Sequence, residues 1–181
     1  MNPSQSILLI DGYNVIAPAA PPGRCADSLW LHRERERLLG RLRDHLPEQV
    51  RRLTIVIFDA ANPPIVSGHQ HSGFGVNIRF AVGYPEADDL IEELIVACAT
   101  PKRLAVVSSD HRLQVSAKRR SATVYDSEAW LDHLVAGRVR LAPGVFDRLV
   151  VRQQEKNEQD ESSSLPSQKE VNAWLKEFDL E

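Results

Sequence analysis

Ile7 to Asn14 reads Ile-Leu-Leu-Ile-Asp-Gly-Tyr-Asn, and no other stretch limits the fold as tightly. A short unbroken apolar run suits a strand buried on both faces, as in parallel sheets. Asp11 then falls where the strand leaves the sheet, at the edge where open α/β sheets place their ligands. Gly12 beside it allows a sharp turn. Two later segments repeat the pattern: Leu53 to Asp59 (Leu-Thr-Ile-Val-Ile-Phe-Asp) and Leu104 to Asp110 (Leu-Ala-Val-Val-Ser-Ser-Asp). Three apolar strands ending in aspartate would set three carboxylates on one rim.

The remaining elements fit around those strands. Ala17 to Gly23 is proline-rich and cannot be helix. A helix follows, capped by Asp27 or Ser28, with Leu31, Leu38, Leu42 and Leu46 at near-helical spacing, and it ends at Pro47. Its run Arg33 to Arg37 reads as a solvated face with offset charge pairs. Asp59 to Gly75 is expected to be a long loop. Val76 to Val82 alternates, which predicts a strand at the edge of the sheet with one polar face. Helices are expected over Glu86–Ala99, His111–Arg120, Ser127–Val139 and Gly144–Gln153, and a last short strand over Ala122–Tyr125. This order points to a mostly parallel sheet with helices on both faces.

Charge is unevenly placed. Of 22 bases and 25 acids, residues 155–181 hold three and eight, leaving the first 154 residues at a net +2. A mildly basic folded part is compatible with a polyanionic substrate. The two cysteines, Cys25 and Cys98, form no metal-type pair and read as reduced thiols. No apolar run is long enough to span a bilayer, and the N-terminus lacks the regions of a signal peptide. The expectation is a cytoplasmic protein.

The helix from Glu86 adds a fourth source of acid. Ile91, Leu94, Ile95 and Cys98 form one apolar stripe. Asp88 precedes Ile91 by three and so shares that inward face; Asp89 and Glu93 turn outward, and Glu92 flanks the stripe. A helix-dipole role accounts for Glu86 and Asp89 but less well for Asp88. Two carboxylates ~5 Å apart repel by about 3 kcal/mol at an effective dielectric near 20. Converging acids therefore call for protonation or for hard cations with oxygen ligands. Magnesium or manganese ions so held suit phosphodiester hydrolysis. Nothing in the pattern suggests zinc; His69 and His71 lie in a Gly-rich loop without ligand spacing.

Asp11-Gly-Tyr-Asn14, Phe58-Asp59-Ala60, Ala87-Asp88-x-x-Ile91-Glu92 and Ser109-Asp110, in this order, resemble the YacP-like NYN domains. These are a branch of the PIN-like nucleases and include a ribosome-associated bacterial endoribonuclease. The resemblance covers about residues 6–140, and the tail lies outside it. It implies a three-layer PIN-like fold with strand order 3-2-1-4-5, an Mg²⁺ or Mn²⁺ site, and RNA as substrate. Carried over by motif, Asp11, Asp88 and Asp110 bind metal, Asn14 is the polar residue of the motif, and Asp59 and Glu92 are supporting acids. Many relatives carry Thr-Ala-Asp where this chain has Glu86-Ala87-Asp88; the stripe favours Asp88 independently.

Around this set, Ser109, His111, Arg112, Lys118 and Arg119 are candidate substrate contacts. Tyr13 and Phe74 either stack on bases or are buried. Rival readings fit less well. A haloacid-dehalogenase-type site wants Asp-x-Asp where Asp11-Gly12-Tyr13 stands, a receiver wants paired acids there, and no phosphate-binding Gly-x-x-x-x-Gly-Lys loop occurs. A non-catalytic RNA- or ribosome-binding module is the remaining alternative. The expected organisation is a nuclease domain over 1–154, a polar linker over 155–166 and an amphipathic helix over 167–181. That helix, with Val171, Trp174, Leu175 and Phe178 on one face, would dock on its own domain, a second copy or the ribosome.

Overall fold

The structure, a computed structural model, describes residues 5–16, 28–59 and 70–149. The expected proline-rich loop, His69, the expected linker and the expected C-terminal amphipathic helix lie outside the described residues. The chain divides into two compact units, the first ending at Val145; in the second, residues 146–149 are helical.

Six strands form one sheet: β1 (Leu8–Asp11), β2 (Thr54–Phe58), β3 (Gln70–Gly73), β4 (Val76–Phe80), β5 (Ala105–Val107) and β6 (Thr123–Tyr125). Their spatial order is β3-β4-β2-β1-β5-β6. The five strands expected from sequence therefore take the order 3-2-1-4-5, and all their pairings are parallel. The sixth, β3, pairs antiparallel with β4. Two expectations change here. Part of the supposed 59–75 loop is a strand, and that strand, rather than β4, takes the edge. The reason is local: Phe74 (φ 55°) and Gly75 (φ 81°) both have positive φ, the signature of a two-residue type I′ hairpin. β4 is consequently interior. Asn77, one of the two polar residues of its alternating pattern, is buried and donates its side-chain amide to the carbonyls of Arg52 and Thr54.

Every residue of β1, β2 and β5 is buried, so both faces of the sheet are covered. Leu9, Ile55, Ile57 and Val106 pack with Leu90, Ile91, Leu94 and Ile95 of helix α4 (Ala87–Ala97) and Leu113 and Ala117 of α5 (His111–Arg119). By alternation, Leu8, Ile10 and Val56 face the other side. There α1 (Gly12–Ile16), α2 (Ser28–His45) and α6 (Ser127–Val135) pack on one another, with Leu38, Leu42, Trp130 and Leu134 buried. A short helix unforeseen from sequence, α3 (Glu48–Arg52), leads into β2.

Helix α6 stops at Val135, short of the expected Val139. Gly137 takes φ 74°, its amide bonds the Leu134 carbonyl, and the Arg138 amide bonds the His133 carbonyl, a Schellman closure. Gly12 also departs from expectation. It opens α1 without a positive φ, and its role is space: an added Cβ would lie 2.2 Å from Phe58 Cε1 and 2.7 Å from the Ile57 carbonyl oxygen. No described helix is long and apolar enough to cross a membrane.

Candidate active site

The carboxyl ends of β1, β2, β5 and β6 share one edge, because these strands run parallel. Each ends in an acid or is followed by one, β5 after two serines. Asp11 ends β1, Asp59 follows β2, Ser108-Ser109-Asp110 follows β5, and Asp126 follows β6. Asp88 joins them from the first turn of α4.

Asp11 is 7% exposed. Its Oδ2 accepts the Ser108 hydroxyl at 3.0 Å and its Oδ1 the Asn14 amide at 3.3 Å. These bonds favour the charged form, but burial opposes them more strongly, and the nearby Asp88 and Asp59 charges add to it. The carboxyl is pushed up to about 6. Asp88, half-buried, is also raised, first by burial and then by the charges of Asp110 and Glu86, with Arg112 acting against them.

Asp59 accepts the Ala87 amide at 2.8 Å. It therefore caps α4 in place of Glu86, whose own side chain makes no capping bond. Asp110 caps α5 by accepting the Leu113 amide at 3.1 Å. Its own amide donates to Ser108 Oγ at 3.0 Å, so one hydroxyl links Asp110 to Asp11.

Asn14 is the centre of a second network. Its Oδ1 accepts the Ser109 amide at 2.9 Å and the Ser127 hydroxyl at 2.8 Å. Ser109 in turn donates its hydroxyl to Asp126 at 2.5 Å and accepts the Ser127 amide at 3.1 Å. Asp126 caps α6, and its carboxyl is lowered, chiefly by the Ser109 hydroxyl. Sequence reasoning missed Asp126 and Ser127. The signal was present: Thr-Val-Tyr-Asp is a fourth strand ending in aspartate.

Other expected residues stand elsewhere. Glu92 is turned to Arg112. His111 is exposed at the start of α5, and Lys118 and Arg119 are exposed at its far end, about 10 Å along the axis. Tyr13 packs edge-on against Phe58 at 5.2 Å, and its hydroxyl accepts from Arg35 at 3.2 Å. Phe74 sits in the hairpin before β4, at the opposite end of the sheet, under the Arg43 guanidinium.

The acids of the rim offer carboxylate oxygens, which fit a hard cation. Among the described residues no three histidine, cysteine or acidic side chains already converge as a metal cage. A magnesium-type ion does not require one, since it keeps several waters and takes one or two protein carboxylates. Asp11, Asp88 and Asp110, the acids singled out by the motifs, could hold such an ion.

A family model described as the YacP-like NYN domain matches residues 8–178. The chain belongs to the YacP-like NYN domain family. That match runs past residue 140, so the tail left outside by the motifs lies within the family pattern. The crystal structure of Rae1 (YacP) from Bacillus subtilis is similar over 96% of this chain and 94% of its own, at 21% identity and TM-score 0.54. A tryptophan-to-leucine mutant of that Bacillus subtilis protein is similar over 92% of this chain and 89% of its own, at 24% identity and TM-score 0.52. These likenesses bear out the PIN-like fold. No curated protein matches the chain in sequence. Membership in the YacP-like NYN family brings a nuclease-type, RNA-related function.

Proposed function

We propose that this chain is an Mg²⁺- or Mn²⁺-dependent endoribonuclease of the cytoplasm that hydrolyses RNA phosphodiester bonds, with ribosome-associated mRNA as its substrate. The observation that carries this reading is Asp11. A carboxylate nine-tenths buried, raised to about 6 and set among like charges, is unfavourable for folding alone. It gains a purpose if a cation neutralises it.

A divalent ion at Asp11, Asp88 and Asp110 would supply an activated water and charge stabilisation at phosphate oxygens. The chain's own residues do the rest. Ser108 aims Asp11 and ties it to the Asp110 loop. Asn14 has its Oδ1 fixed by two donors, which orients its Nδ2 group as a donor to a phosphate oxygen. Asp59 holds the start of α4, and with it Asp88. Glu92 supports the same helix one turn on, through Arg112. The domain proper is proposed to span 1–154, followed by a linker over 155–166 and a docking helix over 167–181.

The test is cleavage of total RNA and polysomes with and without Mn²⁺, mapping new ends. Asp11→Asn, Asp88→Asn and Asp110→Asn are each expected to abolish metal-dependent cutting while remaining folded. Three variants that cut like wild type would sink the assignment. Binding of RNA or ribosomes without cleavage by the wild type would favour the non-catalytic module.

A further inference from the structure

The nuclease reading needs Asp88 and Asp110 held near each other, yet they come from different helices and repel. Neither accepts a bond from the other's helix in the described hydrogen bonds; Asp110 is tied only within its own loop and helix. What spans the gap between the two helix starts is Arg112. Its Nη2 donates to Asp89 Oδ1 at 2.6 Å and to Glu92 Oε2 at 2.9 Å, and its Nε donates to Glu92 Oε1 at 3.2 Å. All three bonds leave α5 for α4. They land one residue and one turn beyond Asp88, and they start two residues beyond Asp110.

We propose that Arg112 is a positioning residue, a clamp that fixes the first turn of α5 to the first two turns of α4 and so sets Asp88 against Asp110. This rests on the nuclease reading and deepens it. Exposed ion pairs are usually weak, but a bidentate guanidinium shared by two carboxylates is the geometry in which they hold. Asp89 and Glu92 hold the Nε–Nη2 edge of the guanidinium, so an RNA phosphate could take that bidentate edge only by displacing them. The arginine also sets positive charge beside the acids without itself bonding Asp88 or Asp110 in the described hydrogen bonds. A lysine lacks the fork and cannot reproduce the bonds.

The experiment uses full-length wild type, Arg112→Gln, Arg112→Lys, Asp89→Asn and the double variant Asp89→Asn/Arg112→Gln. Two quantities are read: steady-state cleavage of an RNA oligomer in saturating Mn²⁺, and amide hydrogen exchange of the metal-free protein. A clamp predicts that Arg112→Gln lowers kcat about 10- to 100-fold with KM unchanged, since small misplacements cost that much. Exchange should quicken locally at the starts of α4 and α5 and not in the β-sheet. Arg112→Lys should recover only part of kcat, and Asp89→Asn should lower kcat several-fold alone but no further on top of Arg112→Gln.

The proposal is overturned if KM rises while kcat holds, which would make Arg112 a phosphate contact. It is also overturned if exchange at the two helix starts does not change. If the wild type cuts no RNA, the nuclease reading fails by itself, and the exchange data still decide whether Arg112 clamps the helices.

Discussion

Ser108 donates its hydroxyl to Asp11 across 3.0 Å, joining the end of β5 to the end of β1. The bond is buried and favours the ionised carboxylate, while burial of Asp11 favours the protonated one. Removing the donor therefore tips the balance further toward the proton. In Ser108→Ala the acidic limb of the pH–rate profile should move up by about one unit, the value of one charge-assisted bond. The measurement is kcat/KM against pH at fixed Mn²⁺. An unmoved limb would mean that Asp11 does not set it.

Asp11 also ties stability to pH. Its folded value of about 6 lies above the ordinary 3.8. The fold thus favours the protonated form. That contribution is fully present below about pH 4 and is lost as pH rises through 6, amounting to about 3 kcal/mol. Asp11→Asn carries no charge to desolvate. In the absence of metal it should melt like wild type near pH 4 and above it at pH 7, with the gap opening between. Mn²⁺ should raise the melting temperature of wild type by mass action and leave Asp11→Asn unmoved. Equal melting of the two proteins at pH 7 would contradict the buried charge.

The parallel core was legible because β1, β2 and β5 each hold an unbroken apolar run that leads into a serine or aspartate; burial on both faces leaves that mark. The inward side of α4 was legible from Ile91, Leu94 and Ile95. Three things were hidden. β3 has the composition of a loop, Gln-His-Ser-Gly, and is a strand through its antiparallel pairing with β4, which composition does not show. Asp126 follows three half-buried residues rather than an apolar run, so the pattern that found the other acids passed over it. Arg112 reads in sequence as a free basic residue beside a site; its partners lie 20 and 23 residues away on another helix, where no local periodicity reaches.

Asn14 should prove structural as well as functional. Its Oδ1 is the acceptor for both the Ser109 amide and the buried Ser127 hydroxyl. Asn14→Ala leaves both donors unpaired and should cost about 2 kcal/mol, read as the midpoint of urea unfolding. Asn14→Asp keeps an acceptor and should recover most of that stability, but without the Nδ2 donors it should not recover cleavage. Recovery of both by Asp would show that only the oxygen matters.

Gly12 tests whether the rim depends on the contact beneath it. The glycine lies against Phe58, whose ring is packed edge-on by Tyr13 at 5.2 Å and tilted against Phe80 at 5.9 Å, so that its movement is hindered. A methyl at position 12 meets Phe58 Cε1 at 2.2 Å and the Ile57 carbonyl oxygen at 2.7 Å. Side-chain rotation could relieve the first contact, but only separation of β1 from β2 relieves the second. Gly12→Ala is therefore expected to destabilise the protein by about 3 kcal/mol, the upper part of the range for overpacking. Because Asp11 is the adjacent residue, the fraction that remains folded should also cut RNA more slowly. The two effects separate when kcat is normalised to folded protein by circular dichroism. A variant with wild-type unfolding midpoint and wild-type kcat would mean that the β1–α1 junction can shift away from β2 without disturbing the site.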